Sequence, residues 1–153
     1  MKVLDFGIVK AAHDIAETAP ALTLEHIVRG TPAFIAPEQV MGGSELDGRA
    51  DIYATGCVAY WLLTGHLVFT GETPMALLMH HAQTPPTPPS ARTELPIPAA
   101  LDQLVLSCLA KDPAKRPQSA KELSRRLAEV EVSRVWTKDR ARDWWRIHQP
   151  AQT

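Results

Sequence analysis

The sequence predicts a mainly α-helical fold, and three observations carry that expectation. From Ile52 to Leu63 the chain holds no charge and is apolar on every side, and the run closes at Gly65, a residue able to take the positive φ of a helix C-terminus. Leu101, Leu104, Val105, Cys108 and Leu109 recur at helical spacing. Thr73-Pro74 and Ser119-Ala-Lys-Glu122 have the chemistry of helix starts: a side-chain oxygen to cap exposed N–H groups, then a proline or a reciprocating glutamate. The first run organises the others. It falls short of the roughly 20 apolar residues that cross a bilayer, which makes it a buried core helix.

Taken in order, residues 2–4 alternate like the end of a strand, and Asp5-Phe6-Gly7 breaks it. Residues 8–36 show no sustained period and contain Pro20, Gly30 and Pro32; so long a loop inside a compact domain points to function or disorder. Pro37 suits the first position of a short helix ending at Gly42-Gly43, and residues 46–50 lead into the central helix as a turn. Thr73 caps a helix from Pro74 to about Gln83. Pro85, Pro86, Pro88, Pro89, Pro96 and Pro98 then impose an extended loop joining two helices, in preference to a ligand for proline-reading domains. A helix from Ala99 to Lys111 is stopped by Asp112-Pro113. Ser119 opens the next, with Leu123, Leu127 and Val130 as its inner face, and Trp136 to His148 form a last helical segment capped by Thr137.

Composition narrows the function classes. At 153 residues the chain can bury one real core, and 45% hydrophobic with 22% charged residues is ordinary for a globular protein. A net charge of −1 carries no nucleic-acid footprint. Cys57 and Cys108 lie in apolar helical runs without a CxxC partner, so buried free thiols in a reducing, cytoplasmic setting are expected. Met1-Lys2-Val3-Leu4 is no signal peptide, and no transmembrane segment is expected. The adjacent His80-His81 cannot share a helix face, and His13, His26, His66 and His148 show no metal-ligand spacing.

Four patterns in order resemble the C-terminal half of a bacterial-type serine/threonine protein kinase: Asp5-Phe6-Gly7; Gly30-Thr31-Pro32-Ala33-Phe34-Ile35-Ala36-Pro37-Glu38; Asp51-x-Tyr53-x-x-Gly56; and Asp112-Pro113-Ala114-Lys115-Arg116-Pro117. The resemblance covers about residues 2–132. It implies an activation segment over residues 1–36, a helical C-lobe over 37–132 and a Trp/Arg-rich extension over 133–153. Asp5 would hold Mg²⁺ against the ATP phosphates, since a hard cation prefers carboxylate oxygen; Phe6 would dock in the core and set whether Asp5 points inward, and Gly7 would be structural. Thr31 resembles the threonine that braces the catalytic aspartate and lysine. Pro32, Ala33, Phe34 and Ile35 would form the substrate shelf, and Glu38 with Arg116 the ion pair tying that segment to the lobe. Thr18 and Thr23 are candidate phosphorylation sites, the alternative being plain polar loop residues.

The resemblance also implies what these residues lack: a glycine-rich loop, the strand lysine with its helix glutamate, and the catalytic-loop base and asparagine. Phosphoryl transfer needs those parts together, so the expected function is that of an inactive fragment whose parent transfers the ATP γ-phosphate to Ser/Thr of protein substrates. The alternative is a stand-alone docking module, or one half of a split kinase that pairs with a separately encoded N-lobe. Met1-Lys2-Val3-Leu4-Asp5 looks like Val-Lys-Val-Leu-Asp in relatives, the pattern that a reading frame opened at an internal valine-type codon would give. Asp51, whose family counterpart accepts bonds from the catalytic loop, is expected to reach water or stay unsatisfied, and one flank of the central helix to lie open as an apolar patch. From Arg134 to His148, five basic residues (Arg134, Lys138, Arg140, Arg142, Arg146) against Asp139 and Asp143 leave a net +3 beside Trp136, Trp144, Trp145 and Ile147. Docking of the tryptophans on the lobe is the preferred reading, a membrane surface the other.

Overall fold

The fold is known from a computed structural model, which describes residues 32–42, 46–132 and 136–148. Among these there are helices and turns and no strand: α1 (Pro37–Val40), α2 (Arg49–Thr64), α3 (Pro74–Gln83), α4 (Ala99–Cys108), α5 (Ala120–Ala128) and α6 (Lys138–His148), with 3-10 turns at Pro32–Phe34, Pro89–Ala91 and Pro113–Lys115. The mainly α expectation holds.

Helix α2 is the hub. It packs on α4 and on the turns Pro32–Phe34 and Pro89–Ala91, while α1 packs on α3. Gly65 ends α2 in the left-handed region at φ 71° and returns its N–H to the Trp61 carbonyl. Asp47 supports the start by accepting the Arg49 N–H at 2.8 Å. Tyr53, Cys57 and Tyr60 join Ala36, Val68, Phe69, Val105 and Leu109 in the core.

The expectation of all-round burial needs correcting. α2 buries Ile52, Tyr53, Gly56, Cys57 and Tyr60, one stripe at helical spacing. The opposite stripe of Asp51, Thr55, Val58 and Leu62, with Trp61 beside it, is exposed. Uniform apolarity shows that every face is able to be covered, not that each one is. Val58, Trp61 and Leu62 make this open flank an exposed apolar patch.

Helix boundaries follow local chemistry where caps decide them. Thr73 Oγ1 accepts the Ala76 N–H and Pro74 opens α3. At α5, Ser119 Oγ accepts the Glu122 N–H, but the glutamate reaches back to the Gln118 N–H rather than to Ser119. α4 ends at Cys108, three residues before the expected stop. The chain leaves the helix at Leu109, and beyond it the Ala110 and Lys111 carbonyls accept from the Arg116 guanidinium (2.8 and 3.1 Å). Asp112-Pro113 therefore opens a 3-10 turn instead of stopping the helix, with Asp112 Oδ1 accepting the Ala114 N–H. On α5, Leu123 is half-buried but Leu127 is exposed, so the expected inner face is narrower than its spacing suggested. In α6, capped by Thr137, Trp144 and Trp145 are exposed, as is Trp136 just before it; the preferred reading that the tryptophans dock on the lobe is overturned.

Candidate functional site: the buried arginine latch and the segment it holds

Arg116 is 3% exposed, and its guanidinium is fully bonded. Nη1 and Nη2 donate to Glu38 Oε1 and Oε2, each at 2.7 Å, across 78 residues of chain. The remaining three N–H groups go to carbonyls: Nε to Ala110 (2.8 Å), Nη1 to Arg49 (2.9 Å) and Nη2 to Lys111 (3.1 Å). All five donors of the fork are used, and the plane sits 5.0 Å from the centre of the Tyr53 ring. A buried cation is tolerated on these terms, with a bidentate carboxylate and no donor stranded. The pair joins α1, the start of α2 and the loop after α4 at one point.

Glu38 reaches this position because Pro37 begins α1 and the Gln39 side chain accepts the Ala36 N–H at 2.9 Å. Immediately before, Pro32–Phe34 forms its 3-10 turn on α2 and α3; Ala33 is buried, and Phe34 packs against the core cluster. Pro32, Ala33 and Phe34, with Ile35 following, thus form a ledge carried by α2 and α3. Asp51 lies on the exposed side of α2 and reaches water, lining an open groove with Asp47, Arg49, Thr55, Gln118 and Leu123. Within it Arg49 pairs with Asp47 at 2.7 Å and holds that carboxyl below the usual range. Asp5, Phe6, Gly7, Thr18, Thr23 and Thr31 lie outside the described residues.

Beneath the ledge sits a pair that sequence reasoning missed. His81 of α3 is fully buried and bonds the Tyr53 hydroxyl through Nδ1 at 2.9 Å. Burial, reinforced by the Lys111 charge, pushes its pKa down to about 4, so the ring is neutral and takes the Tyr53 proton as acceptor or gives its own. Lys111 Nζ donates to the His81 carbonyl (2.7 Å) and to that of His80 (3.3 Å), and lies 4.5 Å from the Phe69 ring centre. Desolvation draws this ammonium down to about 8. Considering His80-His81 only as metal ligands hid the role; the signal was His81 three residues after Leu78, on the inner face of α3. Cys57 and Cys108 are free and buried, and burial raises their thiols to about 12 and about 11, leaving them inert.

Residues 1–127 match the family described as protein kinase domain. The chain belongs to the protein kinase family. It is 43% identical over 130 residues to the serine/threonine-protein kinase PknB of Mycobacterium tuberculosis, covering 85% of this chain and 20% of that protein. It is 41% identical over 135 residues to the serine/threonine-protein kinase pkn3 of Myxococcus xanthus, covering 88% and 24%. A probable serine/threonine-protein kinase PknB of Corynebacterium glutamicum is 41% identical over 138 residues, covering 88% and 21%. This kinase chain therefore spans about a fifth to a quarter of the length of these curated relatives. Its mainly α architecture is that of a kinase helical lobe.

The protein kinase family uses ATP and Mg²⁺. No three His, Cys, Asp or Glu side chains among the described residues cluster so as to hold a metal ion. Asp5, the carboxylate that the resemblance assigns to the metal, lies outside them. No helix among the described residues is long and apolar enough to cross a membrane.

Proposed function

We propose that this chain is the helical lobe of a bacterial-type serine/threonine kinase whose complete form transfers the ATP γ-phosphate to serine and threonine of protein substrates. These 153 residues by themselves transfer none. The observation that carries the reading is the Arg116–Glu38 latch. It fastens the end of a Gly-Thr-Pro…Ala-Pro-Glu segment, already seated on α2 and α3, to the loop after α4 as well, and a segment held from two sides is what a substrate ledge requires.

In this reading residues 1–36 are the activation segment, 37–132 the lobe and 133–153 an extension. Pro32 to Ile35 orient the substrate backbone, Thr31 braces the catalytic groups, and Asp5, steered by Phe6 beside the structural Gly7, is the metal ligand. Thr18 and Thr23 are phosphate acceptors whose modification orders the segment. The 153 residues contain no glycine-rich loop, no strand lysine and no catalytic-loop base, and positioning by those groups is most of what accelerates phosphoryl transfer. ATP and Mg²⁺ then bind only weakly here. Two buried, unpaired cysteines support a reducing, cytoplasmic setting.

The exposed flank of α2 favours a second reading, in which the chain is a docking module or the partner of a separately encoded N-lobe. An apolar patch of Val58, Trp61 and Leu62, continued through Thr55 to a solvated Asp51, is suited to receive helices and backbone donors from another chain. A radiolabelled-ATP assay of the purified chain on a generic protein substrate tests both. No transfer alone is the expected result, and transfer alone overturns the incompetence. Transfer restored by adding the N-terminal half of a related kinase establishes the second reading.

A further inference from the structure

We propose that α6 is a peripheral membrane-binding helix, whose aromatic face seats at the headgroup level of a surface containing anionic lipid. Ala141, Trp144, Trp145 and His148 follow at i, i+3, i+4 and i+7, and so share one face. Trp144 meets Trp145 edge to face (centroids 4.9 Å apart) and stacks on His148 at 4.2 Å, while His148 Nδ1 donates to the Trp144 carbonyl at 2.8 Å. The rings are thereby held together as one cluster, yet Trp144 is 42% exposed, Trp145 57% and Trp136, just ahead of the helix, 59%. The opposite face, Asp139, Arg142, Asp143 and Arg146, carries the ion pairs Arg142–Asp139 and Arg146–Asp143.

Charge selects the occupant. The helix holds Lys138, Arg140, Arg142 and Arg146 against two aspartates, and Arg134 adds one more positive charge just before it, within a chain of net −1. By helical position Arg140 and Lys138 lie at the two edges of the aromatic face, with the Arg140 guanidinium 5.7 Å from the Trp136 ring centre. Tryptophan, with an apolar body and one N–H, partitions to the membrane–water boundary, and flanking cations there meet anionic headgroups. A nucleic-acid strand would want an uninterrupted basic row beside the rings; here two of the arginines are offset by aspartates on the far side. An eleven-residue helix is also marginal in water, so a surface that covers its apolar face stabilises it.

The test is vesicle binding by the full purified chain carrying Trp61→Phe, which silences the tryptophan of α2, read by co-sedimentation and tryptophan fluorescence. Vesicles are phosphatidylcholine alone, or phosphatidylcholine with phosphatidylglycerol. A blue shift with binding about tenfold tighter to the anionic vesicles, weakened by salt, is expected. Trp144→Ala/Trp145→Ala removes it with the melting temperature of the lobe unchanged. Failure to bind either vesicle overturns the proposal, as does equal binding to both. Binding that survives the double substitution, or a shift produced by self-association or an acidic protein but not by vesicles, overturns it too.

Discussion

Gly56 of α2 faces Cys108 of α4 so closely that a Cβ on the glycine would stand 2.7 Å from the cysteine Cβ, with Leu109 Cδ2 at 3.2 Å. Helix crossing at this point is set by the missing side chain. Gly56→Ala gains at most about 1 kcal/mol of helix propensity but meets overpacking of about 1–3 kcal/mol. A lower denaturant midpoint is expected. Because the conflict is with a Cβ, Cys108→Ala should give no rescue in the double variant, whereas relief through Cys108→Gly would identify the contact directly.

Breaking the latch should do more. Arg116→Ala strands the Glu38 carboxylate and deprives the Arg49, Ala110 and Lys111 carbonyls of their donor. Removing one partner of a buried pair costs about 3–5 kcal/mol, comparable with the whole stability of a small domain. Circular dichroism should show a largely unfolded chain. Arg116→Lys should fail as well, since one ammonium cannot serve five directions; an unchanged melting temperature in either variant counts against the latch as the keystone.

Caps explain why part of this architecture was legible. The start of α3 and the end of α2 are decided by Thr73, Pro74 and Gly65 within a few residues of chain, so spacing alone placed them. Arg116 and Glu38 lie 78 residues apart, and no periodicity connects them; the resemblance named the pair and the fold supplied the three carbonyls. The early end of α4 was hidden as well, because the loop that follows it is shaped by bonds that the Ala110 and Lys111 carbonyls accept from a guanidinium further along the chain. Leu127 and the tail tryptophans were misplaced because apolar spacing shows which residues share a face, not whether anything covers it. The roles of Asp5, Phe6, Gly7, Thr18, Thr23 and Thr31 fall outside the described residues.

Acid should weaken the lobe through His81. Its pKa lies below the ordinary 6.5, at about 4, so the unfolded chain binds the proton more readily. Stability from this group is intact above pH 6.5 and is lost as pH falls from 6.5 toward 4, by up to about 3 kcal/mol. Tyr53, Phe69 and Lys111, which surround the ring, offer it no carboxylate. Urea midpoints measured across that interval should fall more steeply for the parent chain than for His81→Gln, which has no titrating ring; identical slopes would remove His81 as the cause.

The open flank of α2 gives the last expectation. Leu62 is 71% exposed, with Val58 and Trp61 beside it, so a charge there costs within about 0.5 kcal/mol of the folded state. The same charge interrupts the apolar strip through which two copies, or a copy and a separate N-lobe, would associate. Sedimentation velocity should show concentration-dependent association of the parent chain that Leu62→Lys reduces at unchanged melting temperature. Association that persists at the same strength would move the adhesive surface elsewhere. If an N-terminal half restores phosphate transfer, that substitution should abolish the restoration while leaving the Arg116–Glu38 latch, on the buried side of the lobe, untouched.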